Sequence, residues 1–266
     1  MQGADENPIL IERREGYRVI TLNRPQRLNA FNEPMQRALV AAVAEAERDE
    51  TCRALLLTGT GRAFSSGQDL SERIDAAGEV TVPGEALERY YNPLVRTLRA
   101  LPFPVVCAVN GTAAGVSCNI ALACDIVLAA RSATFLQPFA RLGIIPDGGG
   151  TWLLPRLVGQ ARARGLALLA EPLSADRAEE WGLIWKAVDD ASLMAEAEKL
   201  CVHFSTAPTS GLGLIKRALD AAEDNDLSAQ LELERSLQRQ AGSHPNYKEG
   251  VQAFMQKRKP AFSGKR

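Results

Sequence analysis

The sequence predicts an α/β fold, on three observations. Continuous apolar runs occupy 54–58, 105–109 and 125–129; the first leads into Gly59-Thr60-Gly61 and the second ends at Asn110-Gly111. Runs of this kind suit strands covered on both faces of a sheet. Segments with apolar residues at helical spacing lie between them, and alternation of strands with helices argues for an α/β core. From about residue 191 the pattern is helical to the end, so a core of about 200 residues precedes a helical tail.

The elements follow in order. Apolar runs at 9–12 and 17–22 flank a polar Arg-Arg-Glu-Gly turn and read as a hairpin. Asn23-Arg24-Pro25 breaks that structure. Residues 34–48 place Met35, Leu39, Val43 and Ala46 at helical spacing. Residues 75–84, small and polar, read as a loop, and a helix is expected over about 84–100, punctuated by Pro102 and Pro104. Ser174 suits an N-cap and Gly182 a C-cap of a short helix, and 184–188 is a last strand. Pro208 sits where a helix can start, and Leu227, Leu231, Glu234 and Leu237 continue a helix with a narrower apolar stripe.

The bulk numbers exclude several classes. The 266 residues include 46% hydrophobic and 24% charged residues, ordinary for a globular protein, and a net charge of −1 offers nucleic acid or an anionic membrane no basic surface. The N-terminal residues have no basic and apolar stretch of a secretory signal, and no run of about 18 apolar residues exists to span a bilayer. Five cysteines in apolar surroundings suggest buried thiols of a cytoplasmic protein. The two histidines, His203 and His244, form no metal-ligand spacing with them, and no Gly-x-Ser-x-Gly elbow is present. No metal or redox cofactor is expected.

Three glycine-containing segments are candidates for chemistry: Gly61 to Leu70, Asn110 to Ser117, and Leu142 to Thr151. The first two each follow a buried strand, and a small-residue loop running from a strand into a helix offers backbone N–H groups to a ligand. Two such loops side by side could aim two donors at one oxygen. Each loop alone reads better as a turn, and Asp147 better as a helix N-cap.

Taken together and in order, Asn23-Arg24-Pro25 with Asn29-Ala30-Phe31, Phe64-Ser65-Ser66-Gly67-Gln68-Asp69-Leu70, Val109-Asn110-Gly111-x-Ala113-Ala114-Gly115, Cys124-Asp125, Leu142-Gly143-Ile144-Ile145-Pro146 and Phe254 to Pro260 resemble the crotonase (enoyl-CoA hydratase/isomerase) family over nearly the whole chain. Within it, Arg89 to Val95, Ile145 to Arg156 and Gly211 to Lys216 are most similar to isomerases acting on the ring epoxide of phenylacetyl-CoA. The resemblance implies a spiral of ββα repeats over 1–200 and a C-terminal helical trimerisation region over 201–266, assembled as a homotrimer or dimer of trimers. It implies an acyl-CoA substrate, with coenzyme A as part of the substrate and no bound cofactor. It places the oxyanion-hole N–H groups at Gln68 and Val116. CoA binding falls to Arg27, Leu28, Ala30, Gln68, Asp69, Leu70, Phe254 and Lys257, the last two from the C-terminal region, of a neighbour where that region reaches across.

The departures from the family pattern are informative. Typical hydratases of the family carry two catalytic glutamates, at positions here held by Asn119 and Phe139, while Asp147 stands where several isomerases carry an acid. One carboxylate suffices to move a proton between two carbons of a stabilised enolate, whereas hydration also demands an activated water. The expectation is an isomerase with Asp147 as catalytic acid–base, an acyl pocket formed by Tyr90, Asn119 and Phe139, and Phe135 and Leu136 helping to dry it. Ordinary core packing for Phe139, a buried hydrogen bond for Asn119 and a buried helical position for Tyr90 or Tyr91 stay open. So do a hydratase (a lyase), a CoA-thioester dehalogenase, and a non-catalytic CoA- or RNA-binding homologue.

Overall fold

The fold is given by a computed structural model that describes residues 7–74, 78–82 and 84–264; positions 75–77 and 83 of the expected loop lie outside the described residues. Strands β1 (Ile9–Arg14) and β2 (Tyr17–Leu22) form the hairpin, with Gly16 at φ +75° in its turn. Helix α1 (Glu33–Arg48) starts where the Asn32 side chain accepts the Met35 N–H at 3.1 Å, and it buries Met35, Leu39, Ala42, Val43 and Ala46.

Three turns of the same pattern follow. Strand β3 (Ala54–Gly59) leads to the short β4 (Ala63–Ser65) and, after an irregular segment, to α2 (Asn92–Ala100). Strand β5 (Val105–Val109) leads to β6 (Thr112–Ala114) and α3 (Val116–Leu122). Strand β7 (Ile126–Ala130) leads to β8 (Thr134–Leu136) and α4 (Gly150–Leu169), which is interrupted at Gly159. The long strands build one sheet and the short ones a second, roughly a wall and a floor repeated with each turn. This is the predicted spiral of ββα units. Then come β9 (Leu173–Ser174), α5 (Ala175–Glu180), β10 (Lys186–Val188), α6 (Leu193–Thr206), α7 (Thr209–Ala221), α8 (Leu227–Ser243) and α9 (Pro245–Met255). The six-stranded sheet has the order β1-β2-β3-β5-β7-β10, and the four-stranded sheet β4-β6-β8-β9. In the first, only the β1–β2 pair is antiparallel.

Leu55, Leu56 and Leu57 of β3 and all of β5 are buried; each such aliphatic side chain contributes about 1.5–3 kcal/mol on leaving water. Helix α6 packs on β3, β5 and β7. The expected division at residue 200 therefore falls inside a helix of the core, and Cys201 beyond it is buried in the main cluster. The more loosely attached helices begin at α7. A clasp joins α7 to the core: Lys216 Nζ lies 2.7 Å from Asp125 Oδ2 and donates to the carbonyls of Phe103 and Leu98. Among the described residues no helix is long and apolar enough to cross a membrane.

Candidate active site

The two strand-following glycine segments are not plain loops. Residues 63–65 and 112–114 pair as parallel strands of the second sheet. Three-residue strands flanked by glycine leave no period for a sequence pattern to show, so this sheet was missed. Its pairing brings the two segments together. Gly111 packs so tightly that an added Cβ would sit 2.2 Å from the Arg62 carbonyl, and one on Gly67 (φ +90°) would sit 2.6 Å from the Ala114 carbonyl. Ser117 Oγ donates to the Ser65 carbonyl at 2.8 Å across the junction.

This packing leaves two N–H groups outside the backbone ladders. Phe31 N–H donates to the Gly67 carbonyl and Asp69 N–H to the Phe31 carbonyl. In that parallel bridge the intervening Gln68 turns its own N–H to the opposite side. Val116 is the first residue of α3, and a first-turn N–H has no intrahelical acceptor. Gly115 before it adopts φ +59° and lies against the Pro138 and Phe139 rings.

The expected CoA residues of the early chain come together. Leu28 and Asn29 take left-handed conformations, and the Leu28 carbonyl accepts the Ser66 N–H. Asn29 Nδ2 donates to the carbonyls of Thr60 (2.8 Å) and Ala63 (2.9 Å), and Arg24 donates to the Ala30 carbonyl and to Asp69 Oδ2. Leu28 and Ala30 are thereby held near Gln68 and Asp69. The Asp69 carboxylate is engaged by Ser71 and Arg24; burial pushes its pKa up, but these hydrogen bonds prevail and hold it below the usual range. Leu70 is exposed. Phe254 and Lys257 are exposed at the end of α9.

Asp147 sits in the turn before α4. It does not cap the helix: Gly149 holds the N-cap position without a side-chain bond, and it is the Asp147 carbonyl that accepts the Gly150 N–H. Its Oδ1 is buried without a hydrogen-bond partner. Burial pushes the carboxyl up to about 6, against smaller opposing pulls from its own backbone N–H and then from the Arg73 guanidinium. Asn119 is fully buried and donates to the Asp147 carbonyl at 2.7 Å, so it faces the turn as a hydrogen-bonding residue. Phe139 is buried against Gly115.

For Tyr90 the geometry differs from expectation. Its hydroxyl donates to Glu33 at 3.0 Å on a half-exposed face. The neighbouring Tyr91 is the buried one: it donates to Gln68 Oε1, accepts from Gln36 Nε2 at 2.7 Å, and has its pKa raised by burial and then by the Asp147 charge. The cause is a π-helical turn over Leu87–Tyr91, which shifts the phase of the helix. Gln36, Gln137 and Arg73 were also not anticipated. Gln36 did share a helical face with Met35 and Leu39, the one available signal. Among the described residues no three His, Cys, Asp or Glu side chains group as a metal site.

Known proteins share this fold and family. The enoyl-CoA hydratase/isomerase family profile matches residues 12–265. The chain is 55% identical to the 1,2-epoxyphenylacetyl-CoA isomerase of Escherichia coli (strain K12), covering 97% of this chain and 98% of that one. It is 34% identical to the short-chain-enoyl-CoA hydratase of Clostridium acetobutylicum, covering 95% and 96%. The crystal structure of an enoyl-CoA hydratase from Bacillus anthracis superposes with a TM-score of 0.89 at 30% identity, covering 97% of this chain and all of that one. The chain belongs to the enoyl-CoA hydratase/isomerase, or crotonase, family of enzymes.

Proposed function

We propose that the protein is a CoA-thioester isomerase in which Asp147 is the single acid–base group and the N–H groups of Gln68 and Val116 receive the enolate oxygen. The observation that carries this reading is the state of Asp147: a carboxylate with a buried, unpartnered oxygen and a pKa of about 6. It is ionised near neutral pH, yet poised to hold a proton briefly. The groups at the hydratase glutamate positions supply no second acid, since Asn119 is committed to the Asp147 carbonyl and Phe139 is apolar.

With a 3-enoyl-CoA, Asp147 takes a proton from C2, the negative charge moves to the thioester oxygen, and the same proton returns at C4 to give the 2-enoyl-CoA. Each oxyanion donor is worth roughly 3–4 kcal/mol in the transition state. The similarity to the Escherichia coli epoxide isomerase supports ring-1,2-epoxyphenylacetyl-CoA as a substrate; there the bond shared by the two epoxide carbons opens to the seven-membered oxepin, with no change of formula. Phe139 and the rings near Gly115 keep water from such a substrate. Under this reading coenzyme A arrives with the substrate, no cofactor is held, and Phe254 and Lys257 meet the CoA of another subunit in a homotrimer or dimer of trimers.

The test is product analysis with a 3-enoyl-CoA and, separately, a 2-enoyl-CoA. Conversion of the first to the 2-enoyl thioester, abolished in Asp147→Asn, is expected. Rapid formation of 3-hydroxyacyl-CoA from the second would replace this reading with a hydratase.

A further inference from the structure

Two buried amides beside the site have no role in the chemistry above. Gln137 is 2% exposed; its Nε2 donates to Asn119 Oδ1 at 2.8 Å and reaches Cys118 Sγ at 3.3 Å, while its Oε1 has no partner. The Cys118 thiol, pushed up to about 12 by burial, stays neutral. Asn119 Nδ2 in turn donates to the Asp147 carbonyl. The glycines after Asp147 close the gap: an added Cβ would sit 2.4 Å from Asn119 Nδ2 at Gly150, and 3.0 Å from Val116 Cγ2 at Gly148. The turn carrying the base is therefore pressed onto α3, the helix whose first N–H belongs to Val116.

Resting on the reading of Asp147 as the base, we propose that Asn119 is a positioning residue that moors the Asp147 turn to α3, and that Gln137 fixes the direction of the Asn119 amide. The amide works in only one sense. Flipped, its nitrogen would meet the Gln137 nitrogen and its oxygen the Asp147 carbonyl, donor against donor and acceptor against acceptor in a dry site. Base and oxyanion donor then ride on one rigid unit, and the proton is met at a fixed distance from the thioester oxygen. A misplacement of about 1 Å in such a constellation costs about 100-fold in rate. A carboxylate at position 119 would point an acceptor at the Asp147 carbonyl and release the turn.

The experiment compares Asn119→Asp, Gln137→Met and Asp147→Asn in the intact protein, with 3-enoyl-CoA as substrate, reading kcat and KM separately, the pH dependence of kcat, and thermal unfolding. Asn119→Asp is expected to lower kcat about 30–100-fold with KM changed less than about 3-fold. In Gln137→Met, which adds no charge, the acid limb should move below pH 6 as water reaches the loosened carboxylate. Gln137→Met removes an unpartnered oxygen along with the donor, so it is expected to fold normally and lower kcat about 10-fold. If Asn119→Asp fails to fold, Gln137→Met decides. A wild-type kcat and acid limb in the folded variants, or a rise in KM alone, overturns the positioning role; an inactive Asp147→Asn alongside leaves the base intact. A fully active Asp147→Asn overturns both.

Discussion

Burial disfavours the Asp147 charge more than its own backbone N–H and the Arg73 guanidinium favour it. A carboxyl lifted by burial from an ordinary value near 4 to about 6 binds its proton more tightly in the folded than in the unfolded state. Stability therefore falls as pH rises between those values, and the cost is complete above pH 6. Asp147→Asn is expected to unfold at higher temperature than the natural protein at pH 7–8, by on the order of 1–2 kcal/mol after allowance for partial solvent access, with the gap closing below about pH 4. Over the same range kcat of the natural protein should rise with pH through about 6. Thermal scans and rate profiles at matched pH check both; a variant less stable at pH 8 would mean that the favourable contacts of the carboxylate outweigh its burial. Asp147 was legible only through the resemblance, which places it where several isomerases carry an acid; Pro146-Asp147 before three glycines reads, on its own, as a helix N-cap. The direction of Asn119 was not, since every residue of α3 is buried and a helix so enclosed shows no polar face.

At the scale of elements, the long strands were legible because each is a continuous apolar run, and α1 because its stripe keeps a 3.6-residue period. The second sheet was hidden because three-residue strands fall outside the two periods that patterning can detect, and a π-helical turn likewise hides which of Tyr90 and Tyr91 is buried. These irregular pieces are the ones that build the site. Gly67 marks the point where β4 and β6 meet, with positive φ and no room for a Cβ. Gly67→Ala should force Gln68 away from α3, lowering kcat about 100-fold or more, the scale of one lost oxyanion donor. A substrate analogue's affinity should fall less than the rate does. If kcat is unchanged, the Gln68 N–H is not an oxyanion donor.

The whole molecule has a well-packed spiral and a more exposed C-terminal end. The sequence drew that boundary at residue 200 because the helical pattern begins near there, but periodicity cannot tell a helix lying on a sheet from one leaving it, and α6 lies on the sheet. Around and after the Lys216 clasp, Ile215, Leu219, Leu227 and Leu231 of α7 and α8 expose apolar side chains. Several large apolar residues on adjoining helices suggest a covered face. Phe254, 82% exposed, and Lys257 lie on the same C-terminal segment. If three copies cover this face, sedimentation should give a mass of three or six chains. Leu227→Asp with Leu231→Asp should then shift the mass toward one chain. Because Phe254 and Lys257 are assigned to a neighbour's CoA, dissociation should raise KM for the thioester several-fold while the chemistry at Asp147, wholly within one chain, keeps most of its kcat. An equal loss of kcat would place part of the catalytic machinery across the interface. An unchanged KM in a dissociated variant would remove Phe254 and Lys257 from CoA binding.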